Sequence, residues 1–479
     1  MSALSSALDK IENLQLGENN NPEYTWSQNI EEMITQFHFQ LTRTSDIKNL
    51  KDKYQELLKK IFVPVFTGVY ESIESIESIE YIEYIKYLYK LIGYTRDIIA
   101  GKGEYNLTYM LISELYKFSQ SDSCSIENKI KIQVLATSAI ESLVRTNINE
   151  HPYGSWKDLK YLCNYHIDPN NRTDYRLKQL NDPLFNKIID ITCAQLRCDE
   201  KSPVKSLAAK WVPREKSEKF GWITAQLAMR YYSDWMPDDT KFSQNTVVAA
   251  RKKCLTHFRQ LVAKINRQLN TPQINQCEGT WHDINFDKNI TSITLRKQTK
   301  AFQCKNKKGQ ARPELLTNAD RVQCCKNYQE YIKRCKTGES TAKGKRVSII
   351  DFVRDGLRHT DDIEKDCINL QWNSNATQNS ALGNIVAMVD TSGSMDADNY
   401  LPLYSAIGLG IRIAEKSKLG KRLLTFSAKP RWVNLDDCPD FVSMLQKIKS
   451  SDWGMNTNIR SALDLILNTA ISNNIAPNE

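Results

Sequence analysis

Asp390, Ser392 and Ser394 stand at alternate positions of VDTSGSM, where the apolar run 385–389 gives way to a loop. Alternate spacing in a tight loop turns one carboxylate and two hydroxyls to the same side. An all-oxygen set of low charge suits a hard cation, Mg²⁺ or Mn²⁺, that keeps some waters and leaves a coordination position for a partner's carboxylate. The same side chains also suit a polar strand-end turn that caps the next helix. Enzymatic readings of this loop lack their residues. There is no G-x-S-x-G nucleophile elbow, and position 392 is Ser rather than the second Asp of an aspartyl-phosphate mechanism. With no nucleophile, base and pocket set elsewhere, the expectation is a non-enzymatic binding protein.

A second chemistry lies upstream. Residues 296–346 hold 15 Lys/Arg against 4 Asp/Glu, a local excess of 11 in a chain whose formal charge is +9, so the remainder is near neutral. Arg296, Lys297, Lys300, Lys305, Lys307, Lys308 and Arg312 form one cluster; Lys343, Lys345 and Arg346 form another. Dense cations with small polar spacers bind phosphates by counterion release, and RNA is the expected polyanion. The alternative is a solvated basic loop with no partner, since no RNA-recognition signature with paired aromatics accompanies the charges.

These groups need elements to hold them. With 479 residues, 41% hydrophobic and 25% charged, the chain is long enough for two or three globular domains. Its apolar runs fall far short of a bilayer span, and MSALSSALDKIENLQ has no secretory pattern, so an intracellular protein without membrane contact is expected. Twelve scattered cysteines with no C-x-x-C pair read as reduced thiols. Cys277, His282, Cys304, Cys324 and Cys325 match no common zinc spacing.

Residues 1–22 read as a disordered tail. From Trp26 to about residue 380 apolar positions recur every three or four residues, which predicts an α-helical module over 23–380 with no regular strand alternation. In ESIESIESIEYIEYIKYLYK, 71–90, Ile recurs every third residue, so its stripe must drift by about 60° per repeat around a helix, which disfavours a coiled coil. The repeat and the frequent Asn, Ile and Lys suit an AT-rich, viral genome. After residue 380 the pattern changes to strand, helix (400–417), two short strands and two helices, the opening of a doubly wound α/β sheet with Asp390 at a strand's carboxyl end. The fold class is therefore a mainly α-helical array followed by a partial, Rossmann-like α/β domain over 381–479.

VDTSGSM after an apolar strand resembles the metal-ion-dependent adhesion site of von Willebrand factor A domains. That resemblance implies Asp390, Ser392 and Ser394 as metal ligands, completed by a later Thr, here Thr457 of WGMNTN, and by an Asp from a later strand. YTRDIIAGKGE, GSWKDL, SLAAKWVPRE, TWHDINF and KQTKAF follow one another in the order seen in the domain-of-unknown-function family 2828, in which a helical module precedes a von Willebrand A domain. The layout is distantly similar to the Ro (TROVE) ribonucleoproteins. The resemblance implies an RNA-associated scaffold; a metal-dependent protein-interaction adaptor and an inactive fragment are the alternatives. A von Willebrand A domain is longer than 383–479, so the expectation is a C-terminally truncated domain that lacks the closing Asp.

The helical motifs also have structural readings. GKGE supplies a turn with Glu104 near a helix start, Arg96 and Asp97 pair with neighbouring segments, and Trp156 and Trp211 anchor the core. Pro213 ends a helix.

Overall fold

The computed structural model describes residues 14–16, 22–42, 46–63, 76–122, 124–145, 151–167, 182–237, 243–358, 361–426, 429–450 and 458–475. The chain is mostly helical and divides into two compact units, Met1–Leu269 and Asn270–Glu479.

The first unit begins with a short antiparallel pair, β1 (Leu14–Leu16) and β2 (Pro22–Tyr24). The sequence shows no regular strand alternation here because three-residue strands are too short to display it; the rest of residues 1–21 lies outside the described residues. Among the described residues these helices follow: α1 (Ile30–Gln40), α2 (Ile47–Phe62), α3 (Ile76–Arg96), α4 (Tyr105–Ser119), α5 (Ile126–Ser142), α6 (Trp156–His166), α7 (Pro183–Lys201), α8 (Ala208–Trp211), α9 (Gly221–Tyr231) and α10 (Gln244–Leu269). Helix α4 is buried on nearly every side, packed by α2, α3, α5 and α6, and takes Thr108, Ser113, Glu114 and Ser119 into the interior with its apolar residues. Helix α3 displays the drift expected of a three-residue repeat, with Ile82 exposed, Ile85 half-buried and Leu88 buried.

The R-D-x-x-x-G-K-G-E stretch is a turn. Arg96 donates to Asp158 from Nε (3.0 Å) and Nη2 (2.8 Å), Asp97 meets His151 at 2.9 Å, and Glu104 is the N-cap of α4. Asp158 belongs to GSWKDL and forms the capping box of α6 with Ser155, so two distant motifs meet in one buried ion pair. The Lys102 ammonium donates to the carbonyls of His38 and Leu41 at the end of α1. A Cβ at Gly101 would lie 2.0 Å from the Tyr94 carbonyl oxygen, which explains the glycine.

The second unit contains α11 (Pro272–Glu278), α12 (Ser292–Phe302), α13 (Pro313–Leu316), α14 (Ala319–Thr337), α15 (Ile349–Gly356) and α16 (Asp362–Ala376), then a small mixed sheet with α17 (Ala397–Lys416), α18 (Phe441–Lys449) and α19 (Ile459–Ser472). Strand β3 (Ala387–Asp390) runs parallel to β4 (Arg422–Phe426), with Val389 opposite Thr425, and β4 is antiparallel to β5 (Arg431–Asn434). The parallel pair requires a crossover, which α17 provides. The regular part of α17 starts after the left-handed Asp398, Asn399 and Tyr400, so Pro402 falls in its first turn, where it costs little.

The boundary at 269/270 lies far upstream of the one expected at 380/381. Helices α15 and α16 share a core with the sheet and α18: Trp372 stacks on Phe441 at 3.8 Å, and Phe352 packs edge-on to Trp372. Helix periodicity alone does not say which core a helix joins. Among the described residues no helix is long and apolar enough to cross a membrane. All twelve cysteines are free thiols, nine of them buried.

Candidate phosphate-contacting cleft and metal loop

Most of the basic stretch falls on α12, the following turn and α14, where its charges meet different fates. Arg296 is held between two carboxylates of α15, donating to Asp355 at 2.5 Å and lying 3.1 Å from Asp351. Lys305 pairs with Asp361 and donates to Gln303; Arg312 donates to Glu314 at 2.7 Å; the Lys343 ammonium donates to the Lys288 carbonyl at 2.9 Å. These four are largely occupied within the fold. Lys297, Lys307, Lys308, Lys345 and Arg346 are exposed, with no ion pair among the described residues.

Between α12, the 305–307 turn, α15 and α16 lies a cleft of about 590 Å³. Six cations line it, Arg296, Lys297, Lys300, Lys305, Lys307 and Arg358, against the carboxylates Asp355 and Glu364. Lys300 sits 3.9 Å from Glu364 and donates to the Lys307 carbonyl at 3.3 Å, tying helix to turn. The turn itself is shaped by Asn306, whose side chain accepts the backbone N–H groups of Lys308 and Gln310. Burial, and after it the charge of Asp361, push the Glu364 carboxyl above the usual range. Burial works against ionisation of Asp361 as well, but its hydrogen bond from Lys305 and those from backbone N–H groups win and hold its carboxyl low. Arg358 lies 3.7 Å from Asp355, so Arg296, Lys300, Lys305 and Arg358 all have carboxylate partners, and Lys297 and Lys307 are the lining cations with no ion pair among the described residues. A concave site with two such cations and mixed polar and apolar walls can seat a phosphate-bearing chain. Arg358 and Gln371 also line it. Sequence spacing does not place them there, because they come from segments far along the chain that meet α12 only in the folded unit.

Asp390 ends β3, and its Oδ1 accepts the Ser392 N–H at 2.8 Å. The Ser392 and Ser394 hydroxyls are 3.0 Å apart. The structure thus brings three of the four expected metal residues together, with Ser392 buried and Ser394 exposed; Thr457 lies outside the described residues. Thr391 adds a buried hydroxyl that has no hydrogen-bond partner among the described residues. Among the described residues no group of three or more His, Cys, Asp and Glu could hold a metal, so this loop offers a single carboxylate with hydroxyls.

One further constellation arises only in three dimensions. Ser113 Oγ lies 2.8 Å from His166 Nδ1, and His166 Nε2 lies 3.1 Å from Asp182. The order matches a hydrolytic triad, but Ser113 is wholly buried in the middle of α4 and Asp182 is the N-cap of α7, accepting from the Phe185 N–H. The arrangement ties three helices together.

Residues 384–479 match the family described as a domain of unknown function, DUF7788. The chain is also similar to Uncharacterized protein L728 of Acanthamoeba polyphaga mimivirus, with 25% identity over 409 residues, covering 81% of this chain and 62% of the relative. It therefore spans less than two thirds of that relative's length. No solved structure matches it.

Proposed function

We propose that the protein is a non-enzymatic, RNA-associated scaffold of an intracellular, viral setting, whose second unit contacts phosphates through the α12–α15–α16 cleft. The observation that carries this reading is the cleft itself, lined by six cations of which Lys297 and Lys307 have no ion pair among the described residues, with the Glu364 carboxyl held toward its neutral form. The distant similarity of layout to Ro ribonucleoproteins points the same way, as an analogy of architecture. Fluorescence anisotropy of a labelled RNA with the full chain, repeated over a salt series, tests it. Affinity should fall log-linearly with salt, as counterion release requires. Binding no tighter than to a neutral control protein at low salt would sink the reading.

The metal loop favours a second role, that of an adaptor. The Ser392 and Ser394 hydroxyls, hydrogen-bonded to each other at 3.0 Å beside Asp390, are the observation behind it. In this reading Asp390, Ser392 and Ser394, with Thr457, hold Mg²⁺ or Mn²⁺, and the loop belongs to a von Willebrand A-like domain. The cation would supply a Lewis-acidic position for a partner's carboxylate. Melting of the chain with and without Mg²⁺ reads this out: a stabilisation lost in Asp390→Ala supports it, and indifference of the parent chain to millimolar Mg²⁺ removes it.

A further inference from the structure

The first unit carries a cluster in which lysines and aromatic rings alternate, on residues remote from the basic stretch. Lys157, Lys160 and Tyr161 are neighbours on α6, Trp211 ends α8, and Lys219 and Phe220 lead into α9. The Lys157 ammonium is 5.0 Å from the Tyr161 ring centre and 5.9 Å from that of Trp211. Lys160 is 4.9 Å from Trp211 and 5.4 Å from Phe220. Lys219 is 5.5 Å from Tyr161 and 5.4 Å from Phe220. Tyr161 and Phe220 meet edge to face at 4.9 Å.

Three cations therefore share three half-buried rings, and among the described residues none of the lysines has a carboxylate partner. Burial and the neighbouring Lys157 charge push the Lys160 ammonium below its ordinary range, so the cluster holds more positive charge than its surroundings balance. Cation–π attraction offsets part of that cost, and an arriving anion would offset more. Rings beside unbalanced cations are what a nucleic-acid single strand recognises: its bases stack on aromatic faces and its phosphates take the charges.

We propose that this surface of the first unit is a second nucleic-acid contact, selective for single strands, in which an unpaired base lies against Tyr161, Trp211 and Phe220 and the flanking phosphates take Lys157, Lys160 and Lys219. The ligand class rests on the RNA reading of the cleft, whereas the residues are independent of it. A duplex keeps its base faces stacked inside and an acidic peptide has none to offer.

The test measures affinities of the full chain for an unstructured oligouridine and for a blunt RNA duplex of equal length, at one salt concentration. Replacing Lys157, Lys160 and Lys219 together by Ala should weaken oligouridine binding about tenfold or more and leave duplex binding within about twofold. Ultraviolet irradiation of the bound oligouridine should crosslink peptides containing Tyr161, Trp211 or Phe220. Should the triple variant melt early, Lys157→Gln and Lys219→Gln singly, both at exposed positions, should each weaken oligouridine binding about threefold. Unchanged oligouridine affinity in a folded variant, equal loss for the duplex, or displacement of oligouridine by polyglutamate at equal charge would each overturn the proposal. If the Lys297→Glu, Lys307→Glu chain loses RNA and the unit-one variants keep it, the cleft reading stands and this contact falls. If the unaltered chain binds no RNA, both fall.

Discussion

Arg296 and Lys297 are adjacent in the sequence yet serve different ends. Arg296 is enclosed by Asp351 and Asp355, so Arg296→Ala should destabilise the second unit by about 2 kcal/mol, read as an earlier melting transition. Lys297 is exposed and unpaired among the described residues, so Lys297→Glu should leave melting unchanged but weaken RNA binding, and loss of each phosphate contact should flatten the salt dependence by about 0.7 in log–log slope. Glu364 gives the cleft a pH response. Its folded pKa is raised, so it takes up a proton while the pH is still above the ordinary glutamate value of 4.5, the cleft loses a negative charge, and RNA binding should begin to tighten above that pH as the solution is acidified. Glu364→Gln should bind as the acidic form does throughout and remove that part of the pH dependence. In the first unit, Asp158→Ala would leave the buried Arg96 guanidinium without its carboxylate and should cost about 3–5 kcal/mol. The grouping of Asp390, Ser392 and Ser394 was legible because these residues lie within five positions of one another. The split of the basic stretch into paired and unpaired charges was not, because Arg296 finds Asp351 and Asp355 only after α15 packs on α12.

At the scale of elements, local signals translated well where a helix has a cap or a breaker. Pro213 follows α8 and its carbonyl accepts the Thr224 hydroxyl at 2.8 Å; Ser155 and Asp158 start α6; Glu104 starts α4. Gly101 and Gly410 mark close approaches that no spacing announces. A Cβ at Gly410 would lie 2.4 Å from Val389 Cγ2, where α17 crosses β3 behind the Asp390 loop. Gly101→Ala, which would press on the Tyr94 carbonyl oxygen, should destabilise the first unit by about 1–3 kcal/mol in a chemical denaturation curve. Helix α19 departs from its sequence pattern. Its aliphatics imply a buried face, yet Leu463, Leu467 and Ile471 are exposed and Ala462 is buried.

For the whole molecule, charge is segregated along the sequence while the fold gathers part of it into one concavity. Composition showed the excess over 296–346, and it showed a helical body and a change of pattern after 380. It did not show that the basic helices belong to the same compact unit as the sheet, since shared cores such as that of Trp372 and Phe441 join segments far apart in the chain. The central claim is that RNA occupies the α12–α15–α16 cleft. Lysine reactivity toward a small acylating reagent, mapped by mass spectrometry on the full chain with and without saturating RNA, tests this most directly. Lys297, Lys300 and Lys307 should become protected on binding, with Lys343 little changed. Saturating RNA that leaves those three lysines as reactive as before would contradict it.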